Sequence, residues 1–424
     1  MLSGDLRVPD FCGLDFGTSN STLAVQAGNS TRLMPLEGDD LTLPSAIFFD
    51  FEAHQPRFGR AAVQAYVAGT EGRLMRSLKS VLGTSLINED TQLQTRRIPL
   101  HSVIEMVVRH IKATAEAACG RELTRVVHGR PVHFVDGDDE ADQRAEDSLL
   151  GIARAAGFKD VAFQFEPIAA ALHYESQIER EEVALIADIG GGTSDFSIVR
   201  IGPDRARRAD RLDDILANDG LRIGGTDIDR LLSMETVMPH LGFRSPLATK
   251  GLLTPNQWYV DLATWAKINL LYHPAVLAEV RRTARQAVHP RLLERLATVL
   301  EHQLGHALAM KVEEAKIALS SARTFDIDLS MVEPGLEAPA TRVRLAEAIA
   351  DPVNRLAAMV QGCLVQAGLK PNQVDAVFLT GGSTLLPAVR DAICAEVPEA
   401  RVVEGDKFGA VGLGLALDAA RKFG

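Results

Sequence analysis

The residues of this chain best suited to chemistry form two copies of one short pattern, in which an aspartate precedes a glycine-rich turn. The first copy reads LDFGTSNSTLAV over residues 14–25, and the second reads ADIGGGTSDFSIV over residues 187–199. Each turn lies between apolar runs, which predicts a β-hairpin. Glycines let backbone N–H groups converge on an anion, and the Thr and Ser hydroxyls add donors. The pattern therefore predicts two phosphate-binding turns.

Asp15 and Asp188 occupy the same place in the two copies, at the end of the strand that enters the turn. A carboxylate beside bound phosphates is repelled unless a cation lies between them. Mg²⁺ suits this position because it binds carboxylates, phosphate oxygens and water. Two such hairpins that face each other would hold a triphosphate from both sides. The repeat thus predicts duplicated lobes with a nucleotide and Mg²⁺ in the cleft.

Several common nucleotide-binding and hydrolytic motifs are missing from the sequence. There is no G-x-x-x-x-G-K-[ST] P-loop and no G-x-G-x-x-G after a strand, and neither G-x-S-x-G nor H-E-x-x-H occurs. The formal net charge of -11 argues against broad nucleic-acid binding, because an acidic surface repels phosphate backbones. The N-terminus lacks a secretory pattern and no long apolar run occurs, so we expect a cytoplasmic protein without a membrane span.

Apolar runs and helical spacing alternate along most of the chain, which indicates an α/β fold. The predicted strands cover residues 11–16, 22–27, 46–51, 132–135, 183–189, 196–201 and 374–380. The predicted helices cover residues 102–119, 140–156, 168–176, 227–239 and 385–396. Residues from about 255 to 322 have a nearly continuous helical pattern, broken at Pro274 and Pro290, which predicts an inserted helical subdomain.

Two further segments narrow the family. VFLTGGSTLLPAVRDAI at 377–393 predicts a strand, a Gly-Gly turn and a helix, and EPIAAALHYE at 166–175 predicts a helix that begins with Glu-Pro. Together with both hairpins, they resemble the nucleotide-binding domain of the seventy-kilodalton heat-shock (DnaK-type) chaperones, in the actin-like ATPase superfamily. The resemblance implies lobe I at residues 1–177 plus 402–424, and lobe II at 178–401 with a helical subdomain at 228–322.

The resemblance also implies roles for individual residues around the phosphates. Asp15 and Asp188 match the aspartates that hold Mg²⁺ through water, and Lys79 matches a lysine that contacts the γ-phosphate. Glu166 and Asp195 match carboxylates that orient the attacking water, together with Thr193. The residues that match the two phosphate loops are Gly17, Thr18, Ser19, Asn20, Gly190, Gly191, Gly192 and Thr193.

The nucleoside half of the implied site is less regular. The matching residues on that side are Gly224, Gly225, Glu313, Lys316, Ser320, Gly381, Gly382, Ser383 and Asp406. Ile317 and Leu385 stand where the family has two arginines that flank the adenine, so cation–π contact with the base is lost. The chain ends at Gly424, which implies a nucleotide domain without the family's peptide-binding domain, similar to the short YegD-like members.

The expected function is an ATP-binding protein that hydrolyses ATP slowly with Mg²⁺ and acts as a chaperone-like conformational switch toward an unidentified partner or client. A nucleotide-sensing module with negligible turnover would carry the same motifs. The duplicated hairpins also occur in small-molecule kinases of the same superfamily and in filament-forming, actin-like proteins, so both of these functions stay open.

Two charged or metal-binding patterns outside this site have ordinary explanations. Four arginines between two apolar runs predict an exposed hairpin turn, and they are Arg205, Arg207, Arg208 and Arg211. His302 and His306 have the i, i+4 spacing of metal ligands, but without a third obvious ligand we expect a solvated helix face.

Overall fold

The computed structural model describes residues 8–28, 30–94, 96–135, 138–208, 210–403 and 409–424. Its strands, in chain order, are β1 Phe11–Phe16, β2 Asn20–Ala27, β3 Ser30–Leu33, β4 Leu43–Pro44, β5 Ala46–Asp50, β6 Pro56–Phe58, β7 Gly72–Arg76, β8 Asp90–Leu93, β9 Arg96–Pro99, β10 Arg125–Arg130, β11 Asp160–Phe165, β12 Glu182–Ile189, β13 Ser194–Ile201, β14 Ile215–Leu221, β15 Thr324–Asp328, β16 Glu337–Thr341, β17 Ala376–Thr380 and β18 Arg401–Val403.

The helices alternate with these strands in the first and last parts of the chain and dominate the middle. They are α1 Gly59–Val67, α2 Leu100–Cys119, α3 Asp139–Ala155, α4 Glu166–Glu175, α5 Gly225–Thr236, α6 Asn256–Leu262, α7 Pro274–Ala284, α8 Pro290–Glu301, α9 Gly305–Ser321, α10 Arg342–Ala348, α11 Ala350–Ala367, α12 Pro387–Glu396 and α13 Ala410–Phe423. Short 3₁₀ segments include Leu78–Val81, Leu212–Asp214, Met238–Leu241 and Trp265–Tyr272. None of the helices among the described residues combines the length and apolar character needed to cross a bilayer.

Two large sheets repeat one topology. The first has the strand order β3-β2-β1-β10-β11, with β4 paired to β2, and the second has the order β14-β13-β12-β17-β18. In each sheet, three antiparallel strands are followed by two parallel strands. The sequence repeat therefore reflects a repeated strand topology, and Asp15 and Asp188 lie on equivalent central strands.

Helices α4 and α13 each follow the last strand of one large sheet but pack against the other sheet. Helix α4 follows the last strand of the first sheet, yet Ile168, Ala171 and Leu172 pack in one core with residues of the second sheet. Helix α13 follows the last strand of the second sheet, yet Leu415 packs with β1 and β10 of the first sheet. The two helices touch closely, because a Cβ added at Gly414 would lie 1.8 Å from the Ala169 carbonyl oxygen.

By contact density, the chain forms two compact units. The first contains both large sheets and comprises Met1–Leu221, Met359–Gly382 and Cys394–Gly424; the second comprises Arg222–Ala358 and Ser383–Ile393. The second unit holds α5–α10 and the β15–β16 hairpin. These units follow different boundaries from the expected lobes, whose limits at residues 177/178 and 401/402 stay a prediction.

Local signals explain several of the helix ends. Helix α2 ends at Cys119 and is followed by Gly120, whose φ of 66° is the left-handed conformation that terminates many helices. Helix α3 begins after Asp138, whose side chain accepts a hydrogen bond from Ala141 N at 2.9 Å. Acidic residues in its first turn also favour the positive end of the helix dipole.

Most predicted elements are confirmed, with three corrections. The strand predicted at residues 132–135 is wrong, because the strand is β10, which ends just before Pro131. The expected solvated face is wrong for His306, which is 5% exposed and packs edge-on against Trp265. The arginine run is only partly an exposed turn, because Arg211 is 3% exposed and ion-paired.

Candidate functional site

The turns of the two aspartate hairpins meet in the first compact unit. Asp15 is the penultimate residue of β1 and lies opposite Thr22 of β2, and Asp188 lies opposite Asp195 in the β12–β13 pair. A Cβ added at Gly191 would lie only 2.2 Å from the Ser19 hydroxyl oxygen. The second turn can approach the first this closely because residue 191 has no side chain. The prediction of two hairpins whose turns lie together is confirmed.

Ser45 fixes the first turn. Its hydroxyl donates to the Gly17 carbonyl oxygen at 2.7 Å, and its backbone N–H donates to the Ser19 carbonyl oxygen at 2.8 Å. The hydroxyls of Ser45 and Ser21 are also 2.9 Å apart. These bonds occupy two carbonyl groups of the turn, so its N–H groups remain the part of the backbone suited to an anion.

The second turn is supported by a neighbouring strand. The Gly190 N–H donates to the Thr193 carbonyl oxygen at 2.9 Å, which closes the turn. Thr380, the last residue of β17, lies directly beside Asp188 in the sheet. Gly381 follows with φ +80°, and a Cβ there would lie 2.8 Å from Asp188 Oδ1. Glycine is therefore needed at residue 381 both for its backbone conformation and for the close approach of the aspartate.

Lys79 is brought to the hairpins by a 3₁₀ segment at Leu78–Val81. The preceding residue, Ser77, has φ 56° and ψ 36°, a left-handed conformation that turns the chain sharply into this segment. Lys79 is 9% exposed, and its Nζ donates to Glu166 Oε1 in an ion pair. The predicted γ-phosphate lysine and a predicted water-orienting carboxylate are thus in direct contact.

Glu166 is the first residue of α4, immediately after β11. Pro167 occupies the first turn, where its missing N–H does no harm and its fixed φ favours helix initiation. On the neighbouring strand β10, a Cβ added at Gly129 would lie 3.2 Å from Glu166 Cγ. The absence of a side chain at residue 129 leaves the space that this glutamate occupies.

The carboxylates of this site are crowded. Burial raises the pKa of Asp15 to about 8, with further contributions from Glu166 and Asp188 that outweigh the opposing Lys79 ammonium. Burial and then Glu166 also raise the pKa of Asp188. The pKa of Asp195 shifts in the same direction through burial, Asp188 and Glu166, although its exposed surface lets water screen part of the effect. Thr193 Oγ1 donates to Asp195 Oδ2 at 3.4 Å.

Lys79 is the cation that balances these groups. Burial acts to lower the pKa of its ammonium, but Glu166 and Asp15 outweigh burial and the net shift is upward. One buried ammonium therefore faces several carboxylates. A group of this charge composition favours the entry of a further cation.

The donor set suits Mg²⁺. Within the described part of the chain, no three His, Cys, Asp or Glu side chains converge closely enough to enclose a metal ion by themselves. Mg²⁺ usually keeps several waters and takes only one or two protein carboxylates together with phosphate oxygens. Asp15 and Asp188 supply that number, and the carboxylate crowding is the feature that a divalent cation relieves.

The predicted nucleoside residues divide between the two units. Gly381 and Gly382 belong to the first unit, and the second contains Gly224, Gly225, Glu313, Lys316, Ser320 and Ser383. Asp406 lies outside the described residues. The assignment of these residues to the nucleoside stays a prediction.

Within the second unit, a buried lysine ties two of these segments together. Lys316 Nζ on α9 donates to Asp229 Oδ2 at 2.9 Å and to the Gly225 carbonyl oxygen at 3.4 Å. Gly224 N–H donates to Asp227 Oδ2 at 3.1 Å at the start of α5. The loop at 224–225 is therefore held by both α5 and α9.

The exposed face of α9 carries the remaining predicted residues. Glu313 is exposed, and the Ser320 hydroxyl donates to the Ile317 carbonyl oxygen at 2.7 Å. Ile317 is 60% exposed, which is unusual for an isoleucine in a folded protein. An aliphatic side chain is thus presented at the position where the resemblance implies an arginine.

Sequence reasoning missed the residues that support the site. Ser45 bonds the backbone of the first turn, Gly129 leaves room for the Glu166 side chain, and neither residue stands in a motif. Thr380 precedes the Gly-Gly turn at 381–382, and that adjacency is the one signal that could have identified it.

The chain matches a protein-family model. The model of the Hsp70 protein covers residues 101–234 and 297–421, which together make up more than half of the chain. The matched segments contain Glu166, the β12–β13 hairpin and the glycine turn after β17, whereas Asp15 and Lys79 precede them. With this match and the repeated sheets that bring two aspartate hairpins together, the chain belongs to the Hsp70 protein family and has the actin-like ATPase fold.

Proposed function

We propose that this protein binds ATP with Mg²⁺ at the two hairpin turns and hydrolyses it slowly to ADP and phosphate. The observation that carries the proposal is the contact between the turns, where Gly191 lies against Ser19. Two sets of backbone N–H groups and hydroxyls then surround one anionic group, with an aspartate at the base of each turn.

The residues divide the work by their charge. Asp15 and Asp188 would hold the cation, and a bound Mg²⁺ neutralises charge on the phosphates. Lys79 would neutralise charge on the terminal phosphate, since its ammonium is buried and fixed in position by Glu166. Binding and reaction chemistry therefore both depend on the first compact unit.

Glu166, Asp195 and Thr193 would orient the attacking water. Glu166 is held at the start of α4, and Thr193 is within hydrogen-bonding distance of Asp195. A carboxylate that accepts a hydrogen bond from water directs the oxygen lone pair toward phosphorus, and it accepts the proton as the bond forms. Movement of the segments after hydrolysis would supply a switch that a partner or client protein recognises.

A nucleotide sensor with negligible turnover is the second candidate. The Lys79–Glu166 ion pair favours it, because the Glu166 oxygen that accepts from the Lys79 ammonium is less available to orient a water. In that case, the same residues bind the triphosphate, but Glu166 does not activate water.

Single-turnover hydrolysis of radiolabelled ATP distinguishes these candidates. We expect phosphate release by the unmodified protein with Mg²⁺, and a much lower rate constant in the Asp188→Asn variant. Equal rates in the two proteins would overturn the catalytic assignment. Tight ATP binding without phosphate release over hours would instead establish the sensor.

A further inference from the structure

Helix α4 carries a glutamate at each end, and both are bound by basic side chains. Glu166 at its first position pairs with Lys79, and Glu175 at its last position pairs with Arg211. They are nine positions apart, which corresponds to about 13.5 Å along a helix. A shift of one end of this short helix along its axis would therefore move the other end.

One face of α4 is lined by small side chains. Its sequence is EPIAAALHYE, and the run Ala169–Ala171 is buried. Against α13, the contact includes backbone, since Gly414 approaches the Ala169 carbonyl oxygen. Small side chains form shallow ridges and grooves, so they fix the axial position of a helix less firmly than interlocking large side chains do.

On the other face of α4, Ile168 and Leu172 are buried with residues of the second sheet. Tyr174 packs on Phe378 and donates to Glu182. The ion pairs at the two ends of the helix therefore act together with this packing.

The contact at the C-terminal end is a fully enclosed ion cluster. Arg211 Nη1 and Nη2 donate to the two Glu175 carboxylate oxygens at 3.0 and 2.8 Å, and Arg211 Nε donates to Asp214. The Gly202 N–H donates to Glu175 Oε1 at 2.9 Å. Arg205 also donates to Asp214 and is therefore a second cation in this cluster. We call Glu175, Arg211 and Asp214 the α4 clamp.

The α4 clamp joins the helix to the sheet that carries the reactive hairpin. Gly202 directly follows β13, and Asp214 directly precedes β14. Asp195 lies on β13 opposite Gly220 of β14. The clamp thus ties the C-terminal end of α4 to β13 and β14, the two strands that position Asp195. At the start of α4, the Glu166 carboxylate is close enough to Asp195 to help raise its pKa.

Stability alone does not account for the α4 clamp. The side chains of Glu175, Arg211 and Asp214 are 0%, 2% and 1% exposed, and removing charges from water offsets much of their attraction. A glutamate in the last turn of a helix also faces the negative end of the helix dipole. Such a cluster defines geometry more than it adds free energy of folding.

We propose that Arg211 is a positioning residue, which holds α4 through Glu175 so that Glu166 stays paired with Lys79 and aligned with Asp195. The expected effect of Arg211 on catalysis rests on the proposed function, whereas its expected effect on the Lys79–Glu166 pair does not. Loss of the α4 clamp lets the helix shift and loosens Glu166 at the phosphate site.

Glu175→Gln tests this proposal, because it removes one charge, keeps the side-chain shape and leaves Arg211 paired with Asp214. We expect the single-turnover rate constant for ATP hydrolysis to fall about tenfold while ATP affinity changes by less than about twofold. Acetylation of Lys79 by acetic anhydride in the nucleotide-free protein, followed by mass spectrometry, should accelerate about fivefold or more as its partner loosens. Lys112 and Lys316, which have other partners, serve as internal references.

A second variant and a matched control separate positioning from folding. The double variant Glu175→Gln/Arg211→Gln restores a neutral hydrogen-bonded contact, so Lys79 protection and the rate constant should recover at least in part. Glu333→Gln removes the carboxylate that Arg291 and Arg295 share in the second unit, and it should change the melting temperature without changing Lys79 acetylation.

The outcomes distinguish the two proposals. Unchanged Lys79 acetylation in folded Glu175→Gln would overturn the positioning role, whatever the melting temperature. Faster acetylation in Glu175→Gln, combined with an unmodified protein that hydrolyses no ATP, would support the clamp and overturn the hydrolysis proposal. Faster acetylation with no change in a measurable hydrolysis rate would overturn the catalytic consequence.

Discussion

The two hairpins have the same place in equivalent sheets, but their side chains differ where chemistry would occur. In the first, Asp15 lies opposite Thr22, a buried residue; in the second, Asp188 lies opposite Asp195, which keeps an exposed surface. Ser45 donates hydrogen bonds to carbonyl groups of the first turn. Beside the second hairpin, Gly381 has no side chain and so leaves space for the Asp188 carboxylate. The repeated backbone thus supplies two glycine-rich turns, and the second hairpin alone adds a further carboxylate opposite its aspartate.

The largest predicted effect is at the residues that serve both hairpins. Lys79→Met should lower the single-turnover rate constant for ATP hydrolysis by roughly 10²–10³-fold, because it removes a buried charge that stabilises the transition state. Glu166→Gln should lower it by roughly 10²-fold or more, since the amide cannot accept the water proton. Quenched-flow measurement with saturating ATP and Mg²⁺ gives both values. A rate within twofold of the unmodified protein for both variants would contradict the assignment.

The next prediction compares the residues opposite the two aspartates. Asp195→Asn should slow hydrolysis by roughly 10–100-fold, because an amide orients water less effectively than a carboxylate. Thr22→Val should leave hydrolysis unchanged. Its hydroxyl is buried without a hydrogen-bond partner among the described residues, so the valine variant should gain about 1 kcal/mol in the free energy of unfolding.

Urea unfolding measures the Thr22→Val stability change, and the same hydrolysis assay measures both rates. Equal rate losses at the two positions would show that the hairpins contribute equivalently to the reaction. That result would remove the asymmetry between them.

The contact between the turns can be tested with adjacent glycines. Gly191→Ala places a Cβ 2.2 Å from Ser19 Oγ, so the Ser19 hydroxyl must move away from the place where it would donate to phosphate, and ATP–Mg²⁺ affinity should fall about tenfold. Gly192→Ala is the matched control, because no heavy atom lies within 4 Å of its added Cβ. Calorimetric titration should therefore give a smaller loss of affinity for this variant than for Gly191→Ala. Equal losses in both would indicate a general effect on the loop rather than the contact with Ser19.

The smallest predicted effect concerns Asp10, which directly precedes β1, and Glu182, which begins the equivalent strand β12. Hydrogen bonds from Arg125 and then Thr124 lower the pKa of Asp10 to about 2, below its ordinary 3.8. Asp10 therefore stabilises the fold above pH 3.8 and loses this contribution as the pH falls toward 2. Burial and then Asp375 raise the pKa of Glu182 above 4.5, so its contribution favours the fold below pH 4.5 and is lost as the pH rises through the raised value.

Paired variants measure this difference. At pH 7, Asp10→Asn should lower the free energy of unfolding by about 1 kcal/mol or less, and Glu182→Gln should leave it unchanged or raise it slightly. Near pH 2 the Asp10→Asn deficit should vanish. Thermal unfolding from pH 2 to 7 reports both trends, and a deficit independent of pH would exclude an electrostatic origin.

The sequence was sufficient for the repeated elements because their signals are local. A glycine turn between two apolar strands predicts each hairpin, and the strand bounds predicted for residues 11–16 match β1. The strand β10 was missed because its sequence, RVVHGR, mixes charged and apolar residues. A strand that is buried on both faces also lacks the alternation of polar and apolar residues that marks a half-exposed strand. Its position is determined by pairing with β1 and β11.

Parts of the site depend on contacts between distant residues, and these were not predictable from local patterns. Arg211 stands in an arginine-rich stretch that predicts an exposed turn, yet Glu175 and Asp214 draw it into the interior. The ion pair between Lys79 and Glu166 likewise joins residues that are 87 positions apart. Residue type indicated the chemistry available, whereas the fold determined which charges meet.

The most direct test of the account is a calorimetric titration of ATP into the unmodified protein and into Asp15→Asn and Asp188→Asn, each with Mg²⁺ and with EDTA. If both hairpins hold one triphosphate and its cation, binding to the unmodified protein will require Mg²⁺. Each variant will then lose roughly tenfold or more in Mg²⁺-dependent affinity. Absence of ATP binding, or Mg²⁺-dependent affinity that neither substitution changes, would contradict it.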